Sequence, residues 1–151
     1  MKKQDEPHIY SILRSWCSSQ RVNVRKEDKD ENSILNFYRK CLALRKNSKT
    51  LIYGTYTEHF PKDKNIYMYE RSLDGESYLI ICSFSRFPVK AHKPSKFAGK
   101  HGELVLCNYP KEPVSYNGVF DHIEQELSEI ELRKGYFRPF ETRIYRYIDK
   151  N

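Results

Sequence analysis

The hydrophobic period of this chain changes once, near residue 50, and that change restricts the fold more than any other feature. Over "KDENSILNFYRKCLALRKN" (29–47), Ile34, Leu35, Tyr38, Cys41 and Leu42 recur at i, i+3, i+4 and i+7, with Arg45 continuing the row. Asn32 or Ser33 offers an N-cap, because a short side-chain oxygen can accept from a free N–H of the first turn. Asp28, Asp30 and Glu31 lie at the positive end of the helix dipole, and Arg39, Lys40, Arg45 and Lys46 fill its second half. Phe37 and Leu44 widen the apolar stripe beyond what a lone surface helix needs. "KNSK" ends the helix. A second, weaker helical row (Ile9, Ile12, Leu13, Trp16, Cys17) precedes it, and the polar residues 18–31 read as a linker.

Beyond residue 50 the period is two. "LIYGTYTEHF" (51–60) reads as the first strand, and "PKDKN" as a turn. "IYMYERSL" (66–73) alternates Ile66, Met68 and Glu70 against Tyr67, Tyr69 and Arg71. Asp74-Gly75 is the strongest hairpin signal in the chain. "YLIICSFS" (78–85) is a near-continuous apolar run, as expected of a central strand buried on both faces. "FPVKAHK" suits an edge, since Pro88 cannot donate to a ladder. "GELVLCNY" (102–109) reads as a second central strand. In "FETRIYRYI" (140–148), Phe140, Thr142, Ile144 and Tyr147 or Ile148 compete for the core. Between Asn108 and Gly135 the pattern is mixed; a loop with one helical turn, then a strand from about Ser128 to Lys134, fits it best. The fold class is therefore mainly β: an antiparallel β-sandwich preceded by one or two α-helices. The expected division is an N-terminal segment and linker (1–31), the helix (32–47) and a β-domain (50–151).

The net charge of +7 raises the question of a polyanionic partner. The densest basic run, "RFPVKAHKPSKFAGKH" (86–101), carries Arg86, Lys90, Lys93, Lys96 and Lys100 without an acid, whereas "DHIEQELSEIE" is strongly acidic. Lysines along an edge more commonly discourage strand pairing, so nucleic acid is not the expected partner. Cys17, Cys41, Cys82 and Cys107 are widely spaced, without a C-x-x-C pair; Cys41, Cys82 and Cys107 fall in apolar patterns and read as small hydrophobes. None of the five histidines has a second ligand at metal spacing, and there is no nucleophile elbow, dinucleotide fingerprint or phosphate loop. No cofactor, metal or catalytic residue is assigned. No apolar run approaches the length of a membrane span. "MKKQDEPHIYSILRSW" has a charged start but no apolar core or cleavage site, so the expected compartment is the cytoplasm.

Five segments, in order, resemble one family: "VNVRKEDKDENSILNFYRKCLALRK" (22–46), "LIYGTY" (51–56), "NIYMYERSLDGESYLIICSFS" (65–85), "GELVLCNYP" (102–110) and "RPFETRIYRY" (138–147). Together they are similar to the C-terminal part of α-amylase-type glycoside hydrolases of family 13, in the oligo-1,6-glucosidase, α-glucosidase and trehalose-6-phosphate hydrolase group. The resemblance implies that the helix at 32–46 corresponds to the last helix of a (β/α)₈ barrel, and that the β-rich remainder is the sandwich packing beside it. Residues 1–21 do not fit the family pattern, and 110–135 is longer than usual.

A (β/α)₈ barrel needs roughly 250 residues and carries its active site at the C-terminal ends of its strands. A retaining glycosidase needs two carboxylates about 5 Å apart. No residue here matches the family's catalytic positions. The reading is thus a non-catalytic domain or fragment, with the glycosidase barrel as its implied partner. The alternative is an independent carbohydrate-, phosphate- or nucleic-acid-binding β-module. The face carrying Leu35, Phe37, Tyr38 and Leu42 would be left partly bare without a barrel, so pairing of two chains through the helix at 32–46, or cover from residues 1–21, is also expected. Exposed aromatics gathered on one face would favour the binder. Burial of Tyr53, Tyr67, Tyr69 and Tyr78 in the sandwich or against the barrel would favour the scaffold.

Overall fold

The computed structural model describes residues 23–109 and 135–149. The expected helix at 9–17, Cys17 and the expected strand at Ser128–Lys134 lie outside them. The contacts divide into two compact units, Met1–Lys40 and Cys41–Asn151, so the boundary falls inside the long helix.

In the first unit, α1 (Val24–Glu27) begins where Asn23 accepts from the Lys26 N–H at 3.0 Å. This short helix lies in what the sequence reads as linker. The long helix α2 (Ile34–Lys46) follows. Of its two candidate caps, Ser33 does the work: its Oγ accepts from the Asn36 N–H at 3.2 Å and donates to the Glu27 carbonyl at 2.6 Å. The Ser33 carbonyl takes the first helical bond, from Phe37 at 2.9 Å. Ile34, Tyr38 and Leu42, four residues apart, are exposed.

The second unit starts with the last turns of α2. Ser48, whose Oγ accepts from the Leu51 N–H at 3.2 Å, then caps a further helix, α3 (Lys49–Tyr53). Residues 51–53 are therefore helical, where strand alternation was expected. A local cap and the packing of Leu51 on the core outweigh the β-propensity of Ile52 and Tyr53. Gly54 ends the helix. A Cβ there would sit 2.4 Å from the Thr50 carbonyl oxygen and 2.8 Å from that of Ser72.

Strands β1 (Thr55–His59), β2 (Ile66–Leu73), β3 (Glu76–Ser83), β5 (Glu103–Cys107) and β7 (Thr142–Ile148) form one antiparallel sheet in the order β1-β2-β3-β7-β5. Asp74 and Gly75 make the β2–β3 turn with positive φ, as their sequence requires. The short strands β4 (Val89–Lys90) and β6 (Tyr136–Phe137) pair as a second sheet. "GELVLCNY" was expected to be central. It is instead an edge, because β7 inserts between it and β3, and Glu103 and Leu104 stand exposed.

The centre of the main sheet is covered on both faces. Ile66, Met68, Leu79, Ile81 and Tyr147 point toward Phe97 and Phe137, with Val89 and Ala91 of the β4 segment alongside. This is the sandwich layer. Tyr78, Ile80 and Ile144 point the other way and meet Leu44 and Leu51, from the end of α2 and from α3. β3 is therefore buried on both faces, as its unbroken apolar run predicts. In β7 the competition resolves to Ile144 and Tyr147, one on each face, while Phe140 and Ile148 are exposed. Fully burying such side chains stabilises by about 1.5–3 kcal/mol each.

Candidate functional site

Hydrolysis of a glycoside would need a pair of free carboxylates in a cleft, so the buried acids come first. Glu70 shares the buried face of β2 with Ile66 and Met68, as the alternation predicts, and is 3% exposed. It accepts from Ser72, from the Lys96 ammonium and, at 3.1 Å, bonds the His59 ring. Burial alone would raise its pKa; the bonds from Lys96, Ser72 and His59 outweigh that and hold it below the ordinary carboxylate range. Glu141, 1% exposed, accepts from Arg143 Nε at 2.7 Å and Nη2 at 2.9 Å, and from the Arg138 N–H at 2.7 Å. Arg143 also donates to the Tyr136 carbonyl at 2.9 Å and lies 4.1 Å over the Phe137 ring. Half-buried Glu76 accepts from Arg146 Nε at 2.6 Å and from the buried Thr50 hydroxyl, tying α3 to the sheet. All three carboxylates are thus committed to ion pairs or hydrogen bonds that hold elements together.

An open cleft of about 520 Å³ lies between the 60–63 turn and His92, with Ile66 and Met68 in its walls. Its carboxylate, Asp63, already accepts from the N–H groups of Asn65 at 2.9 Å and Ile66 at 3.1 Å. Among the described residues no three His, Cys, Asp or Glu side chains gather as a metal site. Cys41, Cys82 and Cys107 are unpaired thiols, and burial raises the pKa of each, for Cys107 to about 11. Thiolate chemistry at neutral pH is correspondingly disfavoured.

The basic run at 86–101 is knitted to the sheet. Lys96 pairs with Glu70, and Lys100 with Asp149 at 2.7 Å. Lys90 lies 5.9 Å over Tyr136, and Lys93 is 5.9 Å from both Tyr145 and Tyr147. These contacts direct much of its charge onto groups of the protein itself.

What remains is an aromatic face. On the helix-covered side of the sheet, β1 presents Tyr56 and Glu58 and β2 presents Tyr67 and Tyr69, in the register Tyr56↔Arg71 and Glu58↔Tyr69. Tyr69 is half-buried, while Tyr56 and Tyr67 are 48% and 38% exposed. Their hydroxyls are 3.0 Å apart. That bond, more than burial, pushes the Tyr56 phenol up to about 12. The Tyr69 ring lies 5.5 Å from Tyr56 and 5.4 Å from Tyr67, tilted by 34° and 41°. Tilted rings do not make one flat stacking platform. Of the tyrosines singled out in the sequence, Tyr78 is in the core, Tyr69 at its margin, and Tyr53 and Tyr67 are exposed. Tyr56 was not singled out, although the period of two in β1 sets it beside Glu58 on this face.

No family model matches the chain. It is 32% identical over 125 residues to the oligo-1,6-glucosidase of Parageobacillus thermoglucosidasius, a match that spans 83% of this chain and 20% of that protein. The chain belongs to the oligo-1,6-glucosidase and trehalose-6-phosphate hydrolase group of glycoside hydrolases. The trehalose-6-phosphate hydrolase of Escherichia coli K12 is 30% identical over 90 residues, 60% of this chain and 16% of that protein. The fold agrees. A crystal structure of Bacillus licheniformis trehalose-6-phosphate hydrolase superposes with a TM-score of 0.64 at 20% identity, over 85% of this chain and 21% of that one. Isomaltulose synthase of Klebsiella sp. LX3 gives a TM-score of 0.62 at 24% identity, over 83% of this chain and 19% of that one. The chain thus spans about one fifth of these glycosidases, as a partial domain that leaves the catalytic barrel uncovered.

Proposed function

We propose that this chain is the non-catalytic β-domain of an α-glucosidase-type glycoside hydrolase, that it acts in the cytoplasm, and that it supports a catalytic barrel rather than cleaving sugar itself. The observation carrying this reading is the coverage: most of this chain aligns with one fifth of the glucosidases. The chemistry of its acids points the same way, since Glu70, Glu76 and Glu141 are each spent on a basic or hydroxyl partner. On this reading the helix Ile34–Lys46 is the counterpart of the last barrel helix, and the sheet after it is a separate β-domain. The reduced thiols Cys41, Cys82 and Cys107 suit the cytoplasm.

Purified protein is expected to give no turnover of nitrophenyl α-glucosides, isomaltose or trehalose 6-phosphate. Hydrolysis that survives repeated purification and shows its own pH optimum would overturn the proposal.

A further inference from the structure

The open cleft of about 520 Å³ lies on the sandwich side of the main sheet, between the turn that follows β1 and the segment that follows β4. Its volume falls within the range of small-ligand clefts, about 300–1,000 Å³. The floor is Ile66 and Met68 of β2, which are 5% and 1% exposed. Phe60 and Pro61 form one wall and extend its apolar surface. Their turn is held by the Asp63 N–H, which donates to the Phe60 carbonyl at 2.9 Å, and by the Asp63 carboxylate, which accepts from the N–H groups of Asn65 and Ile66. His92 forms the other wall. Its neighbour Ala91 packs on the core and donates to the Gly135 carbonyl at 3.0 Å, and Pro94 accepts from the N–H of buried Phe97 at 2.9 Å. Each wall is thus fixed by its own bonds, and the cleft is part of the folded sandwich.

The rim carries donors that the fold does not use. Among the described residues, Lys62 and His92 have no hydrogen-bond or ion-pair partner. Lys96, Lys100 and His59, by contrast, are spent on Glu70 and Asp149. We propose that the cleft binds an amphiphilic monocarboxylate, an apolar acyl or aryl body that ends in one carboxylate. Ile66, Met68, Phe60 and Pro61 take the apolar body out of water. The Lys62 ammonium and a ring N–H of His92 donate to the carboxylate at the mouth. Asp63 limits the charge that is accepted. Its carboxylate lines the same cleft and repels a dianion about twice as strongly as a monoanion. A sugar is poorly served, because its many hydroxyls would meet only three polar side chains, those of Lys62, Asp63 and His92. The site is separate from the function proposed above, since it requires neither a sugar nor a barrel.

The test uses the complete 151-residue chain with carbon-13 in its methionine methyl groups, so that Met68 reports from the floor of the cleft. Octanoate, kept below the concentration at which it forms micelles, is titrated in, and the methyl shift is followed by NMR. The Met68 signal is expected to move and saturate, with a dissociation constant of about 1 mM or tighter. Octan-1-ol and octyl phosphate should each bind about tenfold more weakly. Lys62→Gln should weaken octanoate binding about tenfold. Lys49→Gln removes the same charge from an exposed position at the start of α3 and should leave binding unchanged. His92→Leu, at the opposite wall, gives a second reading and should weaken binding in the same direction. Lys62 and His92 are both exposed, so an unchanged urea midpoint is expected of each variant and separates lost binding from lost folding. A Met68 shift that does not saturate, or octan-1-ol binding as tightly as octanoate, would overturn the inference. So would Lys62→Gln and His92→Leu variants that both bind octanoate as wild type does. Tighter binding of octyl phosphate would refute the assignment to a monocarboxylate.

Discussion

Replacing Arg143 by methionine should destabilise the β-domain more than any exposed charge change, and the reason is the carboxylate it would strand. Glu141 is 1% exposed and takes two bonds from Arg143, at 2.7 and 2.9 Å. Methionine can fill the space over Phe137 but cannot donate. Glu141 would keep the Arg138 N–H at 2.7 Å and a distant Arg138 guanidinium at 3.9 Å, while the Tyr136 carbonyl would lose its donor. Removing one partner of a buried pair costs about 3–5 kcal/mol. With a urea dependence of about 2 kcal/mol per molar, the unfolding midpoint should fall by about 2 M. Thermal unfolding should come about 10 °C earlier. The double variant Glu141→Met/Arg143→Met removes both charges, so it should recover most of the loss. Urea titrations followed by far-ultraviolet circular dichroism check both variants. A single variant within about 1 kcal/mol of wild type, or a double variant no better than the single, would refute the assignment of Glu141–Arg143 as a mutually dependent buried pair.

Glu70 gives a pH dependence with a defined sign. Its folded-state pKa is lowered, so its contribution is present above the unfolded glutamate value of about 4.3 and is lost as pH falls through the folded value. The stability difference between wild type and Glu70→Gln should therefore shrink below about pH 4, measured by urea unfolding across pH. Gly54→Ala would drive a Cβ to 2.4 Å from the Thr50 carbonyl oxygen and should cost about 1–3 kcal/mol, read as a lower melting temperature in calorimetry. The Tyr56 phenol should titrate near 12 by ring-carbon NMR, and Tyr67→Phe should return it toward the ordinary range, because the hydroxyl it bonds is gone, while Tyr147, raised to about 12 by burial, should not move.

Much of the β-domain was legible because period and punctuation are local. The alternation of Ile66, Met68 and Glu70 against Tyr67, Tyr69 and Arg71 reproduces the two faces of β2, and Asp74-Gly75 sets the hairpin where the turn forms. Ser33 was one of two candidate caps, and the choice fell to it through Glu27, six residues away, which only a folded turn brings near. Strand order was not legible. β5 and β3 are both rich in apolar residues, yet β3 is central and β5 an edge, because the C-terminal strand β7 pairs between them. No local pattern records which partner a strand will find. The same holds for Glu70 and Lys96, whose 26-residue separation is closed only by the fold. The helical state of residues 51–53 was settled by Ser48 and by the burial of Leu51 against the sheet, against their β-like composition. By itself, then, the sequence determined the long helix, the two faces of β2, the doubly buried run of β3 and the Asp74-Gly75 turn. Strand order, the partners of the buried carboxylates and the gathering of Tyr56, Tyr67 and Tyr69 on one face of β1 and β2 were decided by tertiary pairing, because each depends on contacts between residues that the chain holds far apart.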